Sequence, residues 1–350
     1  MEYPWQWPWL HDLTALACFS VAMCIAINML ATYAPKPEKE GEIVALKRAA
    51  YHTASCLQYQ QQQSLLSMLG LRPDSVSIFR PISDHFSTLS EVSAAIQRAG
   101  LDRCNLIIGI DFTASNEWQG RTTFGGQSLH ATHPTKRLFN PYQKVIAIVG
   151  ETLEPFADDK KLIPTFGFGD VATRDRDVFT FHNDGSPSEG VYDVLQSYNR
   201  IVRDVVLSGP TSFAPLIRRA INIVKITGRY HILVVVADGQ MAVESPTMQA
   251  IVDASAHALS IIMVGVGDGP WEVMEEFDDQ LPERRFDNFQ FVNFHQMTRK
   301  VKNPEASFAL HALMEIPAQY KTIRSLGYLD VAADSDDSGA AGGAIYGEKS

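Results

Sequence analysis

Asp111, Thr113 and Ser115 follow the apolar run 106–110 at alternate positions, in the order D-x-T-x-S. Carboxylate and hydroxyl oxygens are the donors that hard cations such as Mg²⁺ prefer. Three further apolar runs also end on an aspartate: "TFGFGD" at Asp170, "LVVVAD" at Asp238 and "MVGVGD" at Asp268. Ligands of an open α/β sheet bind outside the carboxyl ends of its strands, so these four carboxylates are expected along one crevice. Strand-to-loop junctions also favour Asp for Asx-turns and helix caps, and that bland reading suits Asp170 and Asp268. Asp111 differs because two hydroxyls accompany it. A divalent ion held by so few anionic groups keeps positive charge and open positions, and so favours a carboxylate from outside.

Other chemistries fit less well. "GFGDVA" at 167–172 has the form G-x-G-x-x-A, and "GVGDGP" at 265–270 is close to it. A dinucleotide loop must open directly into a helix whose N-terminus faces the pyrophosphate, whereas "TRDRDVFTF" reads as extended and charged. Both sets of glycines are therefore read as structural. His130 and His133 form an H-x-x-H inside "SLHATHPTKR", which reads as a solvated loop without a third ligand. Ser212, His182, His231 and Asp204 supply the residue types of a hydrolase, but no G-x-S-x-G elbow accompanies them. Cys104, just before the first apolar run, reads as a buried core thiol.

The elements that must position these residues are legible from periodicity. Strands are expected over 106–110, 162–169, 178–181, 231–237, 261–267 and 289–294. Helices are expected over 142–153, 191–205, 214–226, 247–259, 271–278 and 308–323, with an earlier helix opened by a Thr88–Glu91 capping box. Along 214–226, Ile217, Ala220, Ile221 and Val224 share one face that Arg218, Arg219 and Lys225 avoid. Short apolar strands alternating with amphipathic helices imply an α/β domain with a largely parallel sheet covered on both faces.

Composition narrows the partners. A formal charge of −10 over 350 residues, without clustered Lys and Arg, argues against a nucleic-acid binder. The cysteines are Cys18, Cys24, Cys56 and Cys104, with no C-x-x-C pair, so neither a disulfide framework nor a Cys-rich zinc module is expected.

Residues 13–34 hold no charge over 22 positions, enough for a helix to cross a bilayer core of about 30 Å. Trp5, Trp7 and Trp9 precede this segment, and Lys36, Lys39, Lys47 and Arg48 follow it. Residues 1–34 are therefore read as an N-terminal membrane anchor, with the main domain in the cytoplasm. The alternatives are a signal peptide, although the basic leader is missing, or a cytosolic or nuclear chain if the segment is no anchor. Residues 35–75, with "QYQQQQ" at 58–63, read as a polar linker, and 328–350 as a disordered acidic tail.

Several longer stretches carry a family resemblance. "NLIIGIDFTASNEW", "NPYQKVI", "LSGPTSFAPLI", "HILVVVADGQ" and "FALHALMEIPAQY" together resemble the copine-type von Willebrand factor A domain, in the version also found in plant RING-type copine-like ubiquitin ligases. The domain is read as 76–327, and the resemblance runs from about Phe79 to about Gly327. It implies a Rossmann-like, doubly wound, mostly parallel sheet with one antiparallel edge strand. It also implies a metal-ion-dependent adhesion site in which Asp111, Thr113, Ser115, Thr211 and Asp238 hold Mg²⁺, Mn²⁺ or Ca²⁺, with no separate catalytic or organic-cofactor residues. Thr113 and Ser115 would bind directly, Asp111 and Asp238 largely through water, and Thr211 in one conformational state. The chain departs from its relatives in what surrounds this domain. Residues 1–75, read as mostly span and linker, are too short for paired C2 domains, and no cysteine follows 104 to build a RING.

The expectation is a non-enzymatic, cation-dependent interaction module that captures an Asp or Glu of a protein partner. The alternative is a RING-lacking adaptor or regulator of ubiquitination that works with proteins of the ubiquitin pathway.

Overall fold

The computed structural model describes residues 86–132, 139–239, 244–271, 274 and 281–329. Its centre is strand β1 (Asn105–Asp111), whose seven residues are all buried. Such a continuous apolar run is what a strand covered on both faces requires. Helix α1 (Leu89–Arg98) precedes it, and α2 (Pro141–Leu153), β2 (Leu162–Ile163), β3 (Thr165–Phe168), β4 (Phe179–Thr180) and β5 (Ser188–Glu189) follow. Next come α3 (Gly190–Ile201), α4 (Ala214–Thr227), β6 (His231–Ala237), α5 (Glu244–Ala254), β7 (Leu259–Gly265) and β8 (Phe289–Asn293). Helices α6 (Phe294–Thr298), α7 (Pro304–Leu313) and α8 (Ile316–Ser325) complete the fold.

The main sheet runs β4-β3-β1-β6-β7-β8. All neighbours are parallel except β3 and β4, so the one antiparallel strand lies at an edge. Helix α2 packs on β1 and gathers α1, α3 and α7 around it, while α4 and α5 pack together against β6 and β7. This is the doubly wound arrangement expected of alternating strands and helices. Because strand order reverses at β1, the loops after β1 and β6 diverge to opposite sides and open a crevice between them.

Local chemistry explains where the observed elements differ from their expected limits. The strand expected over 162–169 is two strands, because Pro164 offers no N–H to a ladder. Leu162 and Ile163 pair antiparallel with β5, and Thr165–Phe168 pairs parallel with β1. The helix expected over 308–323 is also divided, since Pro317 has no N–H to give the Leu313 carbonyl. The helix expected over 191–205 stops at Ile201, and the chain beyond is drawn across to β3 and β1. Leu259, expected at the end of a helix, instead opens β7 opposite His231. Thr88 accepts the Glu91 amide as expected, but Glu91 reaches back to the Ser87 amide. Of the expected disordered tail at 328–350, Tyr328 and Leu329 instead pack against the core, and 330–350 lie outside the described residues. The expected anchor at 13–34, linker at 35–75 and most of the helix at 271–278 lie outside the described residues. Among the described residues, no helix is long and apolar enough to cross a membrane.

His231 opens β6 at 3% exposure, and its Nδ1 donates to the Arg229 carbonyl at 2.9 Å. Burial lowers its pKa from 6.5 to about 4. A neutral histidine held this way stabilises the fold fully above pH 6.5, and the contribution is lost as pH falls toward 4, because the unfolded chain takes up the proton first. The loss amounts to at most about 3 kcal/mol. Urea unfolding across this window is expected to flatten by that amount in His231→Gln. An unchanged pH dependence would contradict a neutral, buried His231.

Candidate metal centre

Asp111 is the last residue of β1 and is fully buried. One carboxylate oxygen, Oδ1, accepts the Thr113 amide at 2.8 Å, and Oδ2 has no hydrogen-bond partner among the described residues. Asp238 follows β6, the parallel neighbour of β1, and neither of its buried oxygens has a partner among the described residues. Burial raises the pKa of Asp111 well above the carboxylate range, and the charge of Asp238 raises it further. Asp238 is likewise raised by burial, to about 6, with the nearby Ser115 hydroxyl lowering it in part without completing a hydrogen bond. The hydroxyls of Thr113 and Ser115 stand 2.9 Å apart beside this pair.

Buried carboxylates are normally hydrogen-bonded or paired with a positive charge. Three orphaned oxygens on two neighbouring carboxylates, flanked by two hydroxyls, form an all-oxygen donor set suited to a hard divalent cation. Among the described residues there is no group of three or more His, Cys, Asp or Glu that could hold a metal ion.

The other two strand-end aspartates show what saturation looks like. Asp170 accepts the Ala172 and Thr173 amides and the Thr173 hydroxyl, an Asx-turn that ends β3. Asp268 reaches across to the Thr122 and Thr123 amides and the Thr123 hydroxyl, tying the loop after β1 to the end of β7. Both carboxylates are structural. Of the four, Asp111 and Asp238 alone have oxygens to spare.

Thr211 is 6% exposed and lies three residues beyond Ser208. Ser208 is bridged to Thr113: the Ala114 amide donates to the Ser208 carbonyl at 2.7 Å, and the Ser208 amide faces the carbonyls of Phe112 and Gly169. The third loop is thereby stapled to the first. Asp111 is linked electrostatically to Asp238 and by hydrogen bond to Thr113, Asp238 feels the Ser115 hydroxyl, and Thr113 and Ser115 meet each other, while Thr211 lies on the stapled loop.

Sequence periodicity did not identify the scaffold beneath the first loop. His130, expected in a solvated loop, is 6% exposed and lies flat between Phe112 and Tyr142, at 4.8 and 4.2 Å between ring centres. Its Nε2 faces the Asp111 carbonyl at 2.8 Å, which can only accept, so Nε2 carries the proton and Nδ1 accepts from the Tyr198 hydroxyl. Asn140 in turn donates to that hydroxyl and caps α2 in a reciprocal box with Gln143. Tyr142 donates to Asn116, whose amide holds the Thr113 carbonyl. The spacing of Asn140 and Gln143 is a readable helix-start signal. A single histidine in a Gly- and Ser-rich loop carries no such signal.

Gly169 is the second missed residue. It adopts φ +82°, and a Cβ there would lie 2.5 Å from Thr113 Cγ2 and 3.3 Å from Asp111 Oδ1. The glycine read as structural in "GFGDVA" thus leaves room for the candidate ligands. Gly169→Ala combines backbone strain with overpacking and is expected to destabilise by about 2–4 kcal/mol. Urea unfolding would show it, and a loss below about 1 kcal/mol would mean the loop has slack at this contact.

A family model described as Copine matches residues 128–331, which takes in the loops of Thr211 and Asp238. E3 ubiquitin-protein ligase RGLG4 of Arabidopsis thaliana is 53% identical over 256 residues, covering 69% of this chain and 63% of the ligase. Copine family protein 1 of Caenorhabditis elegans is 47% identical over 274 residues, covering 77% of this chain and 24% of that protein. A solved von Willebrand factor type A protein from Catenulispora acidiphila is 11% identical, at a TM-score of 0.36, over 63% of this chain and 43% of its own. The chain thus spans less than two thirds of the length of RGLG4. Matched by the family model over more than half its length and by relatives at about half identity, the chain belongs to the copine family.

Proposed function

We propose that this chain is a divalent-cation-dependent interaction module that captures an acidic side chain of a partner protein. The observation that carries the reading is the set of three partnerless oxygens on Asp111 and Asp238 beside the Thr113 and Ser115 hydroxyls. Asp111, Thr113, Ser115, Thr211 and Asp238 would hold the ion, with Mg²⁺ or Mn²⁺ suited to the oxygen donors and Ca²⁺ the alternative. When bound, the ion supplies positive charge and an open position that a partner's Asp or Glu can fill.

The chain's own residues do the rest. Gly169 leaves space for Thr113, and His130 and Asn116 grip the backbone carbonyls of Asp111 and Thr113, so the donors need little reorganisation on binding. Around them, Trp118, Val171 and Val206 are three of the seven large apolar side chains exposed among the described residues. Val171 and Val206 are joined by a backbone hydrogen bond, and Trp118 lies three residues past Ser115. Apolar contacts beside a charged anchor are what a protein ligand uses to add affinity.

In EDTA, Asp238→Asn is expected to raise the melting temperature, since it relieves a repulsion between buried carboxylates. Mg²⁺ or Mn²⁺ at about 100 times its Kd should stabilise the wild-type chain by about 2.7 kcal/mol and leave Asp238→Asn unchanged. A metal-dependent stabilisation of equal size in both Asp238→Asn and Asp111→Ala would place the ion elsewhere and end the reading.

A second reading rests on relatives described as E3 ubiquitin-protein ligases, RGLG4 among them. In it the chain is an adaptor or regulator that brings a captured protein to the ubiquitin machinery. Purified chain incubated with ubiquitin, activating enzyme and conjugating enzyme is expected to remain unmodified, and to alter substrate modification only when a ligase is added. Robust autoubiquitination without a ligase would replace the adaptor reading with an enzymatic one.

A further inference from the structure

A cavity of about 620 Å³ opens at the opposite end of the sheet, between the C-terminal half of α2, the β2–β5 pair and the first turn of α3. It begins at Cys104 and Asn105, the amino end of β1, so the length of that strand, about 20 Å, separates it from Asp111. The cavity and the candidate metal centre share no lining residue.

The local backbone accounts for the opening. Gly150 of α2 lets Val191 of α3 approach so closely that a Cβ would lie 2.2 Å from its Cγ2. Gly190 starts α3 at φ +78° and has nothing within 4 Å of where its Cβ would be. The two helices are therefore closed at Gly150, and the space at Gly190 stays open. The volume falls in the range of about 300–1,000 Å³ usual for ligand sites.

The floor is apolar, formed by Leu106, Leu153, Leu162, Ile163 and Leu195 with Val191 at its edge. The rim is acidic, with five carboxylates against two lysines. Glu154 is paired with Lys161 at 2.7 Å, and Asp158 with Arg229 at 2.5 Å. Glu151, Asp159 and Glu189 stand exposed without an ion pair to any described residue, and Lys160 is the remaining cation of the rim. Tyr192, 74% exposed, adds an aromatic face at the mouth. Such a face attracts guanidinium and ammonium groups.

We propose that this cavity docks a segment of a partner protein in which an aliphatic side chain is flanked by lysine or arginine. The aliphatic group would fill the floor, and the cations would meet Glu151, Asp159, Glu189 and the Tyr192 ring. The three unpaired carboxylates come from three separate elements around the mouth: α2, the turn after it and β5. A ligand with one charge cannot meet them all, whereas a peptide carrying several basic residues can.

The test is fluorescence anisotropy on the full chain in EDTA, which silences the metal centre. The probes are short labelled peptides of alternating Leu and Lys, Leu and Glu, or Ser and Lys. The Leu/Lys peptide is expected to bind and the other two to fail. Ala147→Trp, which fills the cavity from a half-buried position of α2, should weaken binding at least about tenfold. Should that variant misfold, the surface double substitution Glu151→Lys with Glu189→Lys gives an independent reading, and is expected to weaken binding as much. Equal binding of the Leu/Lys and Ser/Lys peptides, or affinity indifferent to the substitutions, would reduce the effect to the chain's general negative charge and overturn the proposal. Dodecylamine binding that responds to Ala147→Trp, with no peptide binding, would assign the cavity to a small lipophilic amine and also overturn it.

Discussion

Two carboxylates buried at the ends of adjacent parallel strands are the constraint around which the upper half of the molecule is organised. Burial raises the tendency of both Asp111 and Asp238 to hold a proton, the charge of Asp238 raises it further at Asp111, and three of their four oxygens accept nothing from the described residues. Such an arrangement is unfavourable for the isolated fold, and folds retain unfavourable polar groups mostly where function needs them. The strands themselves supply the rigidity. β1 is paired on both sides and buried throughout, so Asp111 cannot retreat to solvent without breaking the centre of the sheet.

The loops above are held by polar bonds in addition to the packing of Phe112 and Leu129 in the core. His130 lies sandwiched between Phe112 and Tyr142 and reaches the Asp111 carbonyl, while Tyr198 and Asn140 link it to α3 and α2. The donors and acceptors in this small network match one another, and a fully satisfied buried network fixes one geometry. Asp170 and Asp268 hold their own loops in the same way. Four strand ends thus carry the same residue type in two different states, two carboxylates saturated and two with oxygens that have no partner among the described residues.

The molecule has two chemically opposite ends along β1. One end combines buried oxygen donors with exposed Trp118, Val171 and Val206, a setting for an anionic group brought by a partner through a cation. The other has an apolar cavity ringed by unpaired carboxylates, suited to a cationic partner without any metal. The length of a stiff sheet strand separates the two ends.

The amino-acid sequence by itself determined the alternation of strands and helices, the buried status of β1 and β6, and the D-x-T-x-S loop as the place where chemistry could occur. These follow from periodicity and residue type, which act over a few neighbouring positions. The boundaries at Pro164 and Pro317 also followed from a local property, the missing N–H, and were legible in principle. The turn reading of Asp170 was local, since Ala172 and Thr173 close on it, but only the tertiary structure decided how Asp268 is saturated, because its partner Thr123 lies 145 positions away, and that three oxygens of Asp111 and Asp238 are left without partners among the described residues. It also decided that His130 is buried and that Gly169 makes room for Thr113. Side-chain satisfaction and close approach depend on which segments the folded sheet brings together, and that information is not carried by any short stretch of chain.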